Sequence, residues 1–543
     1  MASGSLPSVE ADVLGCPEEA AVQMCPEGQG RTPVPQEAGY QEKDETMLNV
    51  MLFLSELEPY QPEAIRAVHA HQVLHGCGLR WWWNVESNRE TDSLYMMSKE
   101  VEFIEEFWSQ SWHGCRWHKV CMMLLLKNFG PAVAAGSVAA LAAALAFATG
   151  LLPGWSQKAL WNAEIMTASS WSLGCGMLVW LLMIVFWRAQ ETVFVDKFCI
   201  SSTDKNLKMA SLLSLGALIK RSKRMVVWWD ETFLERTWCA FEMAAFLQSH
   251  RYDSDQSLLI KPTLLSKVTL ITFFASFFAT GLDVRVNGVI GFMFQVARVS
   301  GFILLGSLSN LSLLTYYRQI DKLRKQLAEF DIQKTRCHCC DRGDDHQASH
   351  GICDREILMA CIVQWFGSTE NFTRYMQTVV KEALDRHLGA SFCPHRWILM
   401  MGVPNLWSLS MDAVAPRFLA ANYTWGVTYL MTGLAIYCWL WPLQLIFFLK
   451  YSQLTFQAEL PTWAVLLAGQ IFCLLMIASG VTVLGLCLTQ LANPLIGASV
   501  FGLCSMLAFL VAAFWRQLCA FACQLCKRSV KSSGAPKEHA WRE

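Results

Sequence analysis

The chain of 543 residues is 53% hydrophobic and only 16% charged, with 23 Trp and a positive mean hydropathy. Soluble chains carry about 25% charged residues, so the composition excludes an ordinary soluble protein and points to a membrane protein. A formal net charge of −1 leaves no global field to attract nucleic acid, and any electrostatic role has to be local.

Residues 1–46 are rich in Glu, Pro, Gly and Ser with few aromatics, which reads as a disordered tail. They contain no apolar core of a signal peptide, so insertion falls to internal spans and the N-terminus is expected in the cytosol. From Met47 to residue 130 come short amphipathic pieces such as Ala64-Ile65-Arg66-Ala67-Val68, then a strand-like run at 103–108 and an apolar helical segment, Arg116–Leu126. The sequence Asn128-Phe129-Gly130-Pro131 is expected to break the chain, with Pro131 in the first turn of a new helix. Residues 131–152 are almost purely Ala, Val, Leu and Gly, and 171–186 are again apolar. A span needs about 20 such residues, so 131–187 is predicted to be a transmembrane hairpin.

Residues 188–262 are the one long stretch that is neither membrane, tail nor linker. Thr192-Val193-Phe194-Val195 reads as a strand closed by Asp196, and Leu207 to Ile219 as a helix. Met225-Val226-Val227-Trp228-Trp229 reads as a second strand closed by Asp230, and a helix follows with Trp238 to Met243. Strand, helix, strand, helix in about 55 residues is a βαβα unit, which builds a parallel sheet. Ligands of such sheets sit beyond the carboxyl ends of the strands, where Asp196 and Asp230 fall.

A second hairpin is predicted at 263–315, then cytosolic helices over 316–396, including one after Gly367 that ends at Gly389. The block 397–516 holds three strong spans and a weaker one at 397–413, and 517–543 is a basic tail. Lys and Arg crowd 188–262, 316–396 and the tail but not the short loops, which by the positive-inside rule demands an even number of spans. Counting 397–413 makes eight, with both termini cytoplasmic in a membrane of unspecified identity.

The stretch 191–247 resembles the Toll/interleukin-1-receptor (TIR) family. The matching residues are Val193-Phe194-Val195-Asp196, then Ile219-Lys220-Arg221-Ser222-Lys223-Arg224-Met225-Val226-Val227, and most specifically Trp238-Cys239-Ala240-Phe241-Glu242, like the Trp-Cys-x-x-Glu that opens the third helix of many TIR domains. Glu106-Phe107-Trp108-Ser109-Gln110-Ser111-Trp112 is similar to a first-strand variant in TIR-like membrane proteins of unicellular algae, with Gln110 where that variant has His. The resemblance covers about a fifth of the chain. It implies a flavodoxin-like α/β domain in the cytoplasm, here split by the first membrane hairpin and attached to an α-helical multi-pass protein.

Two functions from different classes follow. One is a membrane-anchored signalling or protein-interaction module that self-associates or meets other TIR-like proteins. The other is an NAD glycohydrolase: in enzymatic TIR domains the Glu matching Glu242 supports cleavage of the nicotinamide–ribose bond, where a carboxylate stabilises the oxocarbenium-like centre. In the blander reading, Trp238 is core and Glu242 caps or pairs at the sheet edge. Asp196, Asp230 and Trp238 are candidates for holding NAD, although Asp commonly ends strands. Lys220, Arg221, Lys223 and Arg224 could draw a pyrophosphate or simply be solvated beside the bilayer.

Within 337–353, Cys337, Cys340, His346 and Cys353 supply enough thiolates and an imidazole for a structural zinc ion; the alternative is a set of reduced cytosolic thiols. A channel or transporter is a further alternative, against which stands the near absence of charged residues in the spans.

Overall fold

The computed structural model describes residues 48–75 (without 49 and 53), 78, 93–111, 114–158, 165–250, 257–281, 289–337, 354–389, 395–412, 414, 423–458, 460–491 and 493–533. Most of it is helical, with one small mixed sheet of six strands.

The sheet has six strands in the order β2-β1-β6-β3-β7-β8: β1 Arg66–His69, β2 Lys99–Glu100, β3 Ile104–Gln110, β6 Thr192–Phe194, β7 Ser222–Trp229 and β8 Leu258–Pro262. Its four-stranded core, β6-β3-β7-β8, is entirely parallel, while β1 pairs antiparallel with β6 and carries β2 on its outer edge. Parallel strands are buried on both faces and need continuous apolar runs. Met225-Val226-Val227-Trp228-Trp229 provides one, with every residue at 0–1% exposure. Two further strands, β4 Trp155–Lys158 and β5 Ile165–Ala168, form a separate antiparallel pair.

Side chains alternate along β3, and the alternation separates its neighbours. Glu106 meets a helix on one face, α1 (Arg116–Ala148), through Lys127. Ser109 meets α5 (Thr237–Ser249) on the other, through Glu242. Between β6 and β7 the chain forms α3 (Lys205–Leu213) and α4 (Leu215–Lys220) rather than one helix. Asp204 Oδ1 caps α3 by accepting from the amides of Asn206 and Leu207 at 2.8 and 3.1 Å. The junction falls at Ser214, whose hydroxyl accepts from the Tyr60 amide.

Pro131 does not open a helix. It lies inside α1, which runs unbroken from the sheet into the apolar segment. Proline removes one i→i−4 bond, and packing on either side holds the helix across it. Asn128 Nδ2 donates to the Ile184 carbonyl at 2.8 Å, and Phe129 is wedged among Trp180, Phe273 and Trp397. The partner of α1 is α2 (Trp171–Phe186), which returns to β6 through only residues 187–191.

Among the described residues, five helices are long and apolar enough to cross a membrane: Arg116–Ala148, Val299–Ala328, Tyr423–Gln457, Thr462–Gln490 and Pro494–Phe514; Trp171–Phe186 and Leu265–Ala279 are shorter apolar helices. Val299–Ala328 belongs to a single helix, α6 (Val289–Ala328), in which the apolar segment continues into the charged stretch that begins the cytosolic region 316–396. The helical stretch 395–412 packs lengthwise on α1 and α2. Trp397 sits by Phe129, and the Trp407 indole lies over Gly136 and Gly176, where a Cβ would approach it to 2.9 and 2.8 Å. Asp412 Oδ1 accepts from the Ser172 amide and the Ser169 hydroxyl at the start of α2.

Candidate functional site

The carboxyl ends of β3 and β7, with the first turns of α1 and α5, bring most of the candidate residues together. From β3, Ser109 Oγ donates to Glu242 Oε2 at 2.5 Å. Glu242 stands on the second turn of α5, partly accessible at its surface. Its carboxyl is nevertheless sunk against the end of β3, and desolvation, with the Asp196 charge adding to it, pushes its pKa up to about 8 against the lowering effect of the Ser109 hydrogen bond. At neutral pH it is therefore largely a carboxylic acid. Asp196, at the end of β6, contributes that field and also accepts from the Lys197 amide at 2.8 Å.

Asp230 is engaged differently. Its carboxylate forms a buried ion pair with Lys119 of α1 at 2.7 Å and accepts from the amide and hydroxyl of Thr232 at 3.0 and 2.6 Å. Lys119 also donates to the Ser111 carbonyl, and the Ser111 and Thr232 hydroxyls lie 2.6 Å apart. A Cβ on Gly114 would collide with the Asp230 carboxylate, so the β3–α1 connection closes over it only because residue 114 is glycine. Gln110 Oε1, between Ser109 and Ser111 in sequence, is buried with no hydrogen-bond partner among the described residues.

Trp238 turns to another helix. Its indole Nε1 donates to Asp354 at 3.4 Å at the start of α7 (Asp354–Phe366), which packs on α5 through Trp365 and Phe241. Cys239, fully buried, donates weakly to the Gln110 carbonyl, and burial raises its thiol pKa well above the ordinary value. It is a packing residue rather than a nucleophile.

The basic run lies elsewhere. Arg221 and Lys223 are at the amino end of β7, a whole strand away from Asp230. Arg224 binds the buried Glu106 at 3.2 Å, and Glu106, 2% exposed, also holds Lys127 at 2.7 Å and accepts from the Trp108 indole at 2.9 Å. A pyrophosphate at the Glu242 end of the sheet would not reach these cations. Of the candidate zinc ligands, Cys337 is buried beside the start of α5, where Thr237 N donates to the Arg336 carbonyl. Cys340, His346 and Cys353 lie outside the described residues.

Sequence reasoning missed Ser109 as the partner of Glu242 and Lys119 as the partner of Asp230. Ser109 carried a signal, a hydroxyl at the end of the first strand. Lys119 carried none, because pairing across the sheet end depends on how α1 packs. No protein-family model, curated protein or solved structure matches the chain.

Proposed function

We propose that the chain is a membrane-anchored signalling or protein-interaction module whose α/β domain is TIR-like. The observation that carries this reading is the strand order. Counted from β3, the parallel core β6-β3-β7-β8 runs second, first, third, fourth, the start of the flavodoxin-like order. The helix of Trp238-Cys239-Ala240-Phe241-Glu242 follows the third strand, as in the family the motif resembles. The unbroken passage of α1 from the sheet into the apolar bundle suits signalling, because a change at the carboxyl edge of the sheet is carried by one rigid element. Asp230–Lys119 and Glu106–Lys127 fasten that element to two strands. In this reading the eight-span topology holds, with 395–412 as the fifth span and the sheet on the cytoplasmic side.

The test is self-association in a bilayer. Two differently labelled copies of the full chain, reconstituted together at low density, are expected to give proximity transfer above the random level. Transfer at the random level across the accessible densities, with no other TIR-like chain captured, would remove the module reading.

One observation favours a second reading, NAD glycohydrolysis. Glu242 is paired to Ser109 at the strand ends, with Asp196 nearby and the Gln110 oxygen, which has no hydrogen-bond partner among the described residues, next to Ser109 in the chain. A cationic nicotinamide ring next to Glu242 would favour its ionised form and oppose the desolvation that now protonates it. Here the residues contribute a carboxylate for the developing ribosyl cation and polar groups for orientation. Nicotinamide release from NAD by the reconstituted protein, abolished by Glu242→Gln, is the expected result; no release in the parent protein would leave the module reading alone.

A further inference from the structure

The amino edge of the sheet, opposite the Glu242 end, carries a set of groups that neither reading uses. Arg188, Arg221 and Lys223 have no ion-pair partner within 4.0 Å among the described residues. Phe103 is 74% exposed, and the next residue's amide, Ile104 N, donates to the Arg221 carbonyl at 3.0 Å, so ring and guanidinium residue are neighbours. Phe186 and Trp187 are exposed at 70% and 41% where α2 leaves the bundle, and Arg188 follows at once. Of the acidic groups at this edge, Glu58 is paired with Lys220 and Glu191 with Lys127, whereas Glu102 and Glu105 are exposed carboxylates, Glu105 accepting from the Thr192 amide.

Chain geometry puts this edge beside the apolar helices. β6 starts after residues 187–191, and Lys127, one turn before Pro131, binds both Glu106 and Glu191. Asn128 then bonds to Ile184, where the α1–α2 pair begins. A strongly exposed aromatic ring and cations with no ion-pair partner among the described residues, at the mouth of an apolar helix pair, is the arrangement that fits a lipid surface, the ring for the upper acyl region and the cations for phosphate. We propose that this edge rests on anionic lipid headgroups, with Arg188, Arg221 and Lys223 against lipid phosphates and the Phe103 ring among the first acyl carbons. The contact sets the tilt of the sheet on the bilayer and is independent of what binds near Glu242.

The experiment is hydrogen exchange on the full chain in nanodiscs of phosphatidylcholine alone or with phosphatidylserine added. Amides of 102–104 and 221–224 are expected to exchange about fivefold or more slowly in the anionic discs, on the scale of one cation at a charged surface. Salt at about 1 M, which shortens screening to roughly 3 Å, should erase the difference. The Arg188→Glu/Arg221→Glu/Lys223→Glu variant should lose it while the 225–229 amides stay protected, which reports an intact sheet; Phe103→Ser should weaken it. Equal exchange in the two kinds of disc, or a charge-reversed variant with undiminished protection, overturns the proposal. So does protection in neutral discs on adding inorganic phosphate, which would mark a soluble-phosphate site.

Discussion

Replacing Glu242 with Gln removes one proton-binding group and little else, since Gln keeps the volume and an oxygen to accept from Ser109. The folded chain holds the Glu242 proton up to a pKa of about 8, against an ordinary value of 4.5. Between those values the folded state carries a proton that the unfolded state has released, so stability falls as pH rises, by up to about 1.4 kcal/mol per unit. Over the whole interval the bound is about 5 kcal/mol, and because the residue is partly accessible to solvent, roughly half of that is expected. Glu242→Gln should therefore match the parent near the acid end of the interval and exceed it in stability by about 2 kcal/mol at its alkaline end. Exchange protection of the 237–249 amides, compared between the two proteins at matched pH, reads the difference directly. Parallel protection at both ends, or a variant less stable at alkaline pH, would show that the carboxyl is ionised and satisfied in the folded chain, and the buried-acid picture would be wrong.

Asp230→Ala leaves Lys119 buried without its partner, which costs about 3–5 kcal/mol; the 222–229 amides should lose protection, whereas an unchanged exchange pattern would mean the pair is solvated. Gly176→Val places a branched side chain where even a Cβ comes within 2.8 Å of Trp407, an overpacking expected to cost about 1–3 kcal/mol; thermal unfolding in detergent checks it. If NAD is cleaved, Glu242→Gln should lower the rate by about 100- to 1,000-fold, and the parent rate should rise with pH toward 8 as the carboxylate forms. A rate that falls over that range would make the protonated form the working one.

Legibility from sequence followed how local the determining forces are. The strands β3, β6 and β7 were readable because buried parallel strands must be apolar runs bounded by polar turns, and Thr192–Val195 and Met225–Trp229 are such runs. β1, β2 and β8 were not, since edge pairing depends on long-range register: Val68 meets Val193 and Met225 meets Leu258. The Pro131 break was misread because proline preference is a local cost of about 3 kcal/mol that packing of Phe129 and Asn128 outweighed. At the site, Glu242 was visible from its motif, whereas Asp230 looked like a free ligand and is bound to a helix whose position nothing local announces. The basic turn 220–224 looked like part of the same site only until its place at the other end of β7 was known.

The decisive measurement is the sidedness of the β4–β5 hairpin relative to the sheet. If α1 and α2 cross a bilayer between β3 and β6, a protease or glycosylation tag placed between Lys158 and Ile165 reports from the far side, while one in the exposed turn at Ser202 reports from the cytosol. That opposite placement is the predicted result. Both tags on the same face would mean that the hairpin does not span, and the picture of one α/β domain built around a membrane crossing would fall.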